Sequence, residues 1–223
     1  MGLLHIGEKA PALAVSEWLQ GGEFTLDGLL GRVVLLEVFQ VNCPGCFIYS
    51  LPLAIDLHER LADQGLAVLG LATAFEDFDK NTRQNLAALL QSGQLTGETF
   101  KALSARGQLP NGRWERRIPF PVGMDELIEM RQPIGEQDID DYIRLHVPQF
   151  GRESPVFQQQ LKQRVGAYLR QLEYRPETFS RFQLQGTPSQ VVIDRCGIVR
   201  ACRFGLFPEL ESLLQQLLSE TAA

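Results

Sequence analysis

An α/β fold is predicted by three features of the sequence. The apolar run Val33–Phe39 leads through Cys43-Pro44-Gly45-Cys46 into a helix-like stretch, Phe47–Ala62. After Gly65 comes a second apolar run, Leu66–Thr73. Near the other end, Gln190–Asp194 and Ile198–Phe204 flank the turn Arg195-Cys196-Gly197. The first two runs make a strand–helix–strand unit, whose default is a right-handed crossover. Their apolar, β-branched character without alternation suits buried strands of a mostly parallel sheet. The third feature is an antiparallel hairpin. Leu210, Leu213, Leu214 and Leu217 then give a last amphipathic helix.

The remaining elements follow from punctuation and periodicity. Residues 11–32 read as two short extended pieces around Gly21-Gly22, ending at Gly31. The next hundred residues are mainly helical. A leucine cluster over Asn85–Leu90 stops at Gly93, and Thr96 is placed to cap a short helix through Leu103 that ends at Gly107. Arg116–Val122 is an extended, proline-marked segment. Ile139, Tyr142, Ile143 and His146 share one helical face, with Pro148 as the stop. Ser154-Pro155 supplies an N-cap and a first-turn proline for a helix. That helix carries Phe157, Leu161, Val165, Tyr168, Leu169 and Leu172 on one face and closes at Pro176.

Composition narrows the function. The 223 residues carry 27 acidic and 21 basic side chains, a net charge of −6, which argues against general nucleic-acid binding. No apolar run approaches the roughly 18 residues that a membrane helix needs. The first residues, Met1–Lys9, lack a basic stretch followed by an apolar one, so a cytoplasmic location is expected, or a periplasmic one if the natural chain begins further upstream. Four cysteines are too few for a disulfide scaffold at this length.

Cys43 and Cys46 stand at the start of a helix that follows a buried strand. Unpaired N–H groups and partial positive charge at that helix terminus stabilise a thiolate on Cys43, below the free value of about 8.5. Pro44 costs nothing at the first helical position. One turn on, Cys46 can attack a mixed disulfide on Cys43 and release the product. The geometry makes Cys43 the exposed nucleophile and Cys46 the more buried resolving thiol. A zinc site would need two more ligands, but Cys196 and Cys202 are spaced C-x5-C across a hairpin and His5, His58 and His146 are scattered, so no metal is expected. Cys196 and Cys202 read as free thiols, too far apart across the hairpin to bridge. Glu37 interrupts the first apolar run and is therefore expected to be buried, with a raised pKa suited to proton transfer near neutrality. Arg113–Arg117 and Glu76 read as solvated loop residues.

These residues resemble the thioredoxin-like superfamily, specifically its redoxin branch of TlpA/ResA-like thiol–disulfide oxidoreductases and alkyl-hydroperoxide-reductase/thiol-specific-antioxidant proteins. The likeness rests on Ile6–Pro11, Gly31–Phe39, Cys43–Cys46, Ile118–Asp125 and Gly186-Thr187-Pro188-Ser189. It implies a central mixed β-sheet flanked by helices, with an N-terminal β extension and a long, mainly helical insertion. The expected organisation is a single domain over 1–223, with its core in 1–78, 117–125 and 183–223 and helical insertions at 79–116 and 126–182. The longer insertion is expected to cap the site or form an interface. The resemblance also implies a cis Thr187–Pro188 bond and substrate contact through Pro44, Gly45, Thr187 and Pro188. It gives Glu37, six residues before Cys43, the position of the buried acid that serves the resolving cysteine of thioredoxins. Two departures stand out: Asn42 where thioredoxins usually carry Trp, and Pro52 nine residues after Cys43, one more than is usual.

The expected activity is thiol–disulfide exchange, with reduction of substrates favoured, no cofactor beyond the redox-active cysteine pair, and roles in redox homeostasis and antioxidant defence. Expected partners are a disulfide-containing protein or small molecule and a thiol electron donor, with homodimerisation left open. The alternatives are a peroxiredoxin-like thiol peroxidase attacking through Cys46, and a non-enzymatic binding or redox-sensing module.

Overall fold

Between Ala14 and Gly31 the backbone makes one strand and one turn where two extended pieces are expected. The structure is a computed structural model, and it describes residues 6–130 and 133–220. Strand β1 is Val15–Gln20. The second piece coils into a 3₁₀ turn at Asp27–Leu29, because Thr25 Oγ1 accepts the Gly28 N–H at 3.1 Å and Leu29 turns inward.

Strand β2 (Val33–Phe39) is buried along its whole length. The helix after Cys46 is not regular. Residues Cys46–Ser50 form a π-turn, closed by the Leu51 N–H on the Cys46 carbonyl, before helix α1 (Leu51–Leu61) begins. Pro52 has no N–H to give a helical ladder. The extra residue between Cys46 and Pro52 is accommodated as a π-bulge. A 3₁₀ turn, Ala62–Gln64, and Gly65 at φ +104° end the helix and deliver the chain to β3 (Leu66–Ala72).

Helix α2 (Arg83–Ser92) is capped by Thr82 Oγ1, which accepts the Asn85 N–H. Thr96 occupies the N-cap position of α3 (Gly97–Ala105), but its hydroxyl makes no cap. Asn42 supplies the cap instead: its Oδ1 accepts the Glu98 N–H at 2.7 Å. The proline-marked segment becomes a strand only at β4 (Val122–Asp125). There follow β5 (Leu127–Glu129), α4 (Glu136–His146), α5 (Pro155–Gln171), β6 (Tyr174–Pro176), α6 (Glu177–Arg181), β7 (Ser189–Ile193), β8 (Val199–Phe204) and α7 (Leu210–Ser219).

Six strands form one mixed sheet in the order β1-β4-β3-β2-β7-β8. The β4–β3 and β3–β2 pairs are parallel; β1–β4, β2–β7 and β7–β8 are antiparallel. The sheet therefore combines the parallel crossover expected of the central strands with the C-terminal hairpin. On one face, Val34, Leu36 and Val38 pack with Leu69, Leu71, Val191, Phe182 and Leu184. Strand periodicity sends Val33, Leu35, Glu37 and Phe39 to the other face, where α1 buries Leu51, Ala54 and Leu57. Fully burying each such leucine contributes roughly 1.5–3 kcal/mol. Arg60 bridges Asp56 within α1 to Glu211 of α7.

The chain divides into two compact units. The larger runs up to Glu126 and resumes at Pro176; the smaller is Leu127–Arg175. In the smaller unit, β5 and β6 form a two-stranded sheet, and α4 packs on α5 through Ile139, Ile143, Val165 and Leu169. Gly166 permits the close approach of these helices, since a Cβ there would lie 2.8 Å from Ile139 Cδ1. Phe157 and Tyr168, placed by periodicity on the apolar face of α5, are exposed at 44% and 41%. No helix among the described residues is long and apolar enough to cross a membrane.

Candidate functional site

The site is assembled where β2 runs out. The chain turns at Val41-Asn42, and Cys43 directly precedes the helical residues that begin at Pro44. Its Sγ accepts the Cys46 N–H at 3.3 Å, the bond an N-cap side chain makes, and it lies 3.4 Å from the Thr187 carbonyl oxygen. The cysteines are free thiols. Cys43 is not the open nucleophile expected from sequence: 9% of its surface is accessible, against 0% for Cys46. The order of exposure is as expected, but the covering is nearly complete for both, because Thr187-Pro188 lies against the first turn. A Cβ on Gly45 would stand 3.6 Å from Pro188 Cδ, and the Thr187–Pro188 peptide bond is cis.

The electrostatics separate the two thiols more sharply than exposure does. Cys43 is brought down to about 7, chiefly by a hydrogen bond from the Cys46 thiol; Thr187 and the N–H groups of Cys46 and Gly45 add to this, against the opposing effect of burial. Burial pushes the Cys46 thiol well above its ordinary value, and the neighbouring Cys43 and Glu37 reinforce the rise. One sulfur is thus prepared as thiolate near neutrality and the other is held as thiol.

Glu37 lies on the face of β2 covered by the helix and is fully buried. Burial raises it from 4.5 to about 7, even though Ser50 and Gln190 both donate to it. Ser50 Oγ is 2.6 Å from Glu37 Oε1, and Gln190 Nε2 is 3.0 Å from Oε2. Register explains the second contact. Gln190 is the direct partner of Glu37 across the β2–β7 pair, so their side chains share a face. On the other side Glu37 faces Gly70 of β3, which has no side chain to offer.

Two further polar residues tie the loops together. Gln40 accepts the Thr187 hydroxyl at 3.0 Å and donates to the Glu76 carbonyl at 3.3 Å, linking the proline loop to the segment after β3. Asn42 gives its N–H to Asn81 Oδ1 and its Nδ2 to Asp77 Oδ2, both at 2.8 Å, besides capping α3. Glu76 contributes its backbone here, while its side chain is exposed.

The structure therefore brings together Glu37, Cys43, Cys46, Pro44, Gly45, Thr187 and Pro188. It adds Ser50, Gln190, Gln40 and Asn42, which sequence reasoning missed. Gln190 carried the signal that exposed Glu37, a polar residue in an apolar strand. The thiols Cys196 and Cys202 lie elsewhere, Cys196 exposed in the hairpin turn and Cys202 opposite Val191. His58 stacks edgewise on Phe120 and His146 lies against Tyr142, while His5 is outside the described residues. No group of three or more His, Cys, Asp or Glu that could hold a metal occurs among the described residues.

Solved structures with this architecture are thioredoxin-like. A thiol–disulfide isomerase from Corynebacterium glutamicum is 27% identical with a TM-score of 0.59, over 95% of this chain and 98% of that one. A thioredoxin-like superfamily protein is 27% identical with a TM-score of 0.56, over 96% and 99%. A thioredoxin-like protein in the oxidised form, 16% identical with a TM-score of 0.50, shares the fold over 97% and 98%. No protein-family model matches the chain, and no curated protein matches it. The chain has the thioredoxin-like fold and, with Cys43 and Cys46 on that fold, the cysteine pair of a thiol–disulfide oxidoreductase. This supports its resemblance to the thioredoxin-like superfamily.

Proposed function

We propose that the protein is a protein disulfide reductase in which Cys43 is the nucleophile, Cys46 the resolving thiol and Glu37 the proton acceptor. The observation that carries this reading is the opposite treatment of two neighbouring sulfurs: Cys43 lowered to about 7 and nearly covered, Cys46 raised and fully covered. The Cys43 thiolate attacks one sulfur of a substrate disulfide, forming a mixed disulfide and expelling the other sulfur as a thiolate that takes a proton from water. The Cys46 thiol gives its proton to the Glu37 carboxylate. The resulting Cys46 thiolate attacks Cys43 Sγ, closes the Cys43–Cys46 disulfide and releases the second substrate sulfur. A thiol donor returns the two electrons that the pair has given up. Pro44, Gly45, Thr187 and Pro188 form the surface beside Cys43 on which substrate backbone would rest. A reducing compartment suits this direction.

A peroxidase mechanism would require Cys46 as the attacking thiolate, which its complete burial and raised pKa oppose. A non-enzymatic binding module would have no use for a lowered Cys43, whereas a redox-sensing module would share it and is separated from a reductase by turnover. Insulin disulfide reduction with a thiol donor tests the reading. Activity is expected to vanish in Cys43→Ser, and Cys46→Ser is expected to stall as the mixed disulfide. Unchanged turnover in Cys43→Ser would overturn it.

A further inference from the structure

The buried carboxyl in the site has two side-chain neighbours, Ser50 and Gln190, and each has a second hydrogen-bonding option. Ser50 Oγ lies 2.6 Å from Glu37 Oε1 and also 3.3 Å from the Cys46 carbonyl oxygen. Its single hydroxyl proton can serve one of these acceptors at a time. Gln190 Nε2 lies 3.0 Å from Glu37 Oε2, while Gln190 Oε1 is buried with no hydrogen-bond partner. A buried acceptor left unmet costs free energy in that state, a cost that a state supplying a donor does not carry.

The two protonation states of Glu37 make complementary demands on these neighbours. As a carboxylate it only accepts, and both Ser50 Oγ–H and Gln190 Nε2–H point at it. As a carboxylic acid it must donate one O–H. A half-turn of the Gln190 carboxamide presents Oε1 to that proton and satisfies the acceptor now left without a partner. Alternatively, Ser50 accepts the proton and turns its own hydroxyl to the Cys46 carbonyl. No backbone movement is needed in either case. Among the described residues, the groups around Glu37 add no compensating cation: β3 offers Gly70, β7 offers Gln190, and the helix side offers Cys43, Cys46, Tyr49 and Ser50.

We propose that Ser50 and Gln190 are positioning residues that keep Glu37 hydrogen-bonded in both protonation states, with the stronger hold on the carboxylate, and that the π-turn is what aims Ser50 at it. An uninterrupted α-helix would rotate each residue by about 100° relative to the one before. The extra residue in the turn changes which side chain faces β2 at this level, and the one found there is Ser50, fully buried. The proposal rests on the redox reading of Glu37 for its functional meaning, but its physical content concerns the carboxyl itself.

The test follows the Glu37 carboxyl directly, by ¹³C NMR of glutamate-labelled full-length protein. The resonance is assigned by its loss in Glu37→Gln. A Cys43→Ser background removes the coupled thiolate titration. Ser50→Ala and Gln190→Leu each take one donor from the carboxylate and are expected to move the midpoint upward by about one pH unit, a tenfold change in ionisation constant. Ser50→Thr, which restores the hydroxyl, is expected to bring the midpoint back. If Ser50→Ala fails to fold, Gln190→Leu carries the test alone. Midpoints unmoved in folded Ser50→Ala and Gln190→Leu would overturn the proposal. Insulin reduction on the same proteins with Cys43 intact separates the two readings. Shifted midpoints without turnover in the parent protein uphold the carboxyl device and sink the reductase. Turnover with unmoved midpoints does the reverse.

Discussion

Glu37 and Asp125 are both buried carboxylates, one at the end of β2 beside the cysteines and the other at the end of β4. Burial raises both, and both are hydrogen-bonded at each carboxyl oxygen. They differ in who donates. Asp125 accepts the backbone N–H groups of Thr178 and Phe179, at the start of α6, at 2.8 and 3.1 Å, and the Thr73 hydroxyl at 2.8 Å. Thr178 in turn fastens Ala14: its Oγ1 accepts the Ala14 N–H and lies 2.9 Å from the Ala14 carbonyl. Glu37 is held by two side chains, Ser50 and Gln190, and by no backbone donor among the described residues. Backbone N–H groups in a helix turn cannot reverse, so they favour the ion permanently and make Asp125 a fastener. Side-chain hydroxyls and amides can reverse, and they leave Glu37 free to gain and lose a proton.

Removing Asp125 is therefore expected to have the largest effect on stability. Asp125→Ala strands three donors, two of them buried at about 1–3 kcal/mol each, enough to lower the urea midpoint severely or prevent folding. A midpoint near that of the parent would erase the distinction between the two carboxylates. Glu37→Gln is expected to fold well and to lose about tenfold or more of disulfide-reduction rate near pH 7, with a flattened pH profile; a parent-like profile would break the comparison from the other side. The same variant carries a thermodynamic signature. A carboxyl at 4.5 in the unfolded chain and about 7 in the folded one contributes stability that is complete below 4.5 and is lost as pH rises through 7. Urea titrations should show Glu37→Gln gaining stability relative to the parent between pH 4.5 and 8, by on the order of 3 kcal/mol. A difference independent of pH would mean that the carboxyl is not displaced. Cys202→Ser, in β8 and opposite Val191 on the sheet face away from Glu37, is expected to change reduction rates less than twofold, as the exposed Cys196 should when replaced by Ser.

Much of this was legible in the sequence because its signals are local. The apolar run before Cys43, the Gly65 stop, the hairpin at Cys196-Gly197 and the polar interruption at Glu37 each declare themselves within a few residues. The partners of Glu37 do not. Gln190 meets Glu37 only through a strand register joining residues 153 positions apart in sequence, and Ser50 reaches it only because the helix takes a π-turn. The cap on α3 fails locally for the same reason. Thr96 has the right chemistry at the right position, but Asn42, 56 residues away from Glu98 in sequence, reaches the N–H first. The departure from thioredoxins at Asn42 was visible in the sequence, but its meaning was not, since that depends on a loop folding back to meet it.

Asn42 also bears on how this scaffold could be re-engineered. Its carboxamide and backbone N–H bind Asp77, Asn81 and Glu98 on the segment after β3, and it is joined by a peptide bond to Cys43. Gly97 makes room for it: a Cβ there would lie 2.2 Å from Asn42 Oδ1, and φ is +54°. The stretch from Glu76 to Glu98 is thus not a cassette to be exchanged without consequence. A graft taken from a relative would need a glycine at 97 and acceptors at 77 and 81, or the residue preceding the nucleophile would lose its moorings with every swap.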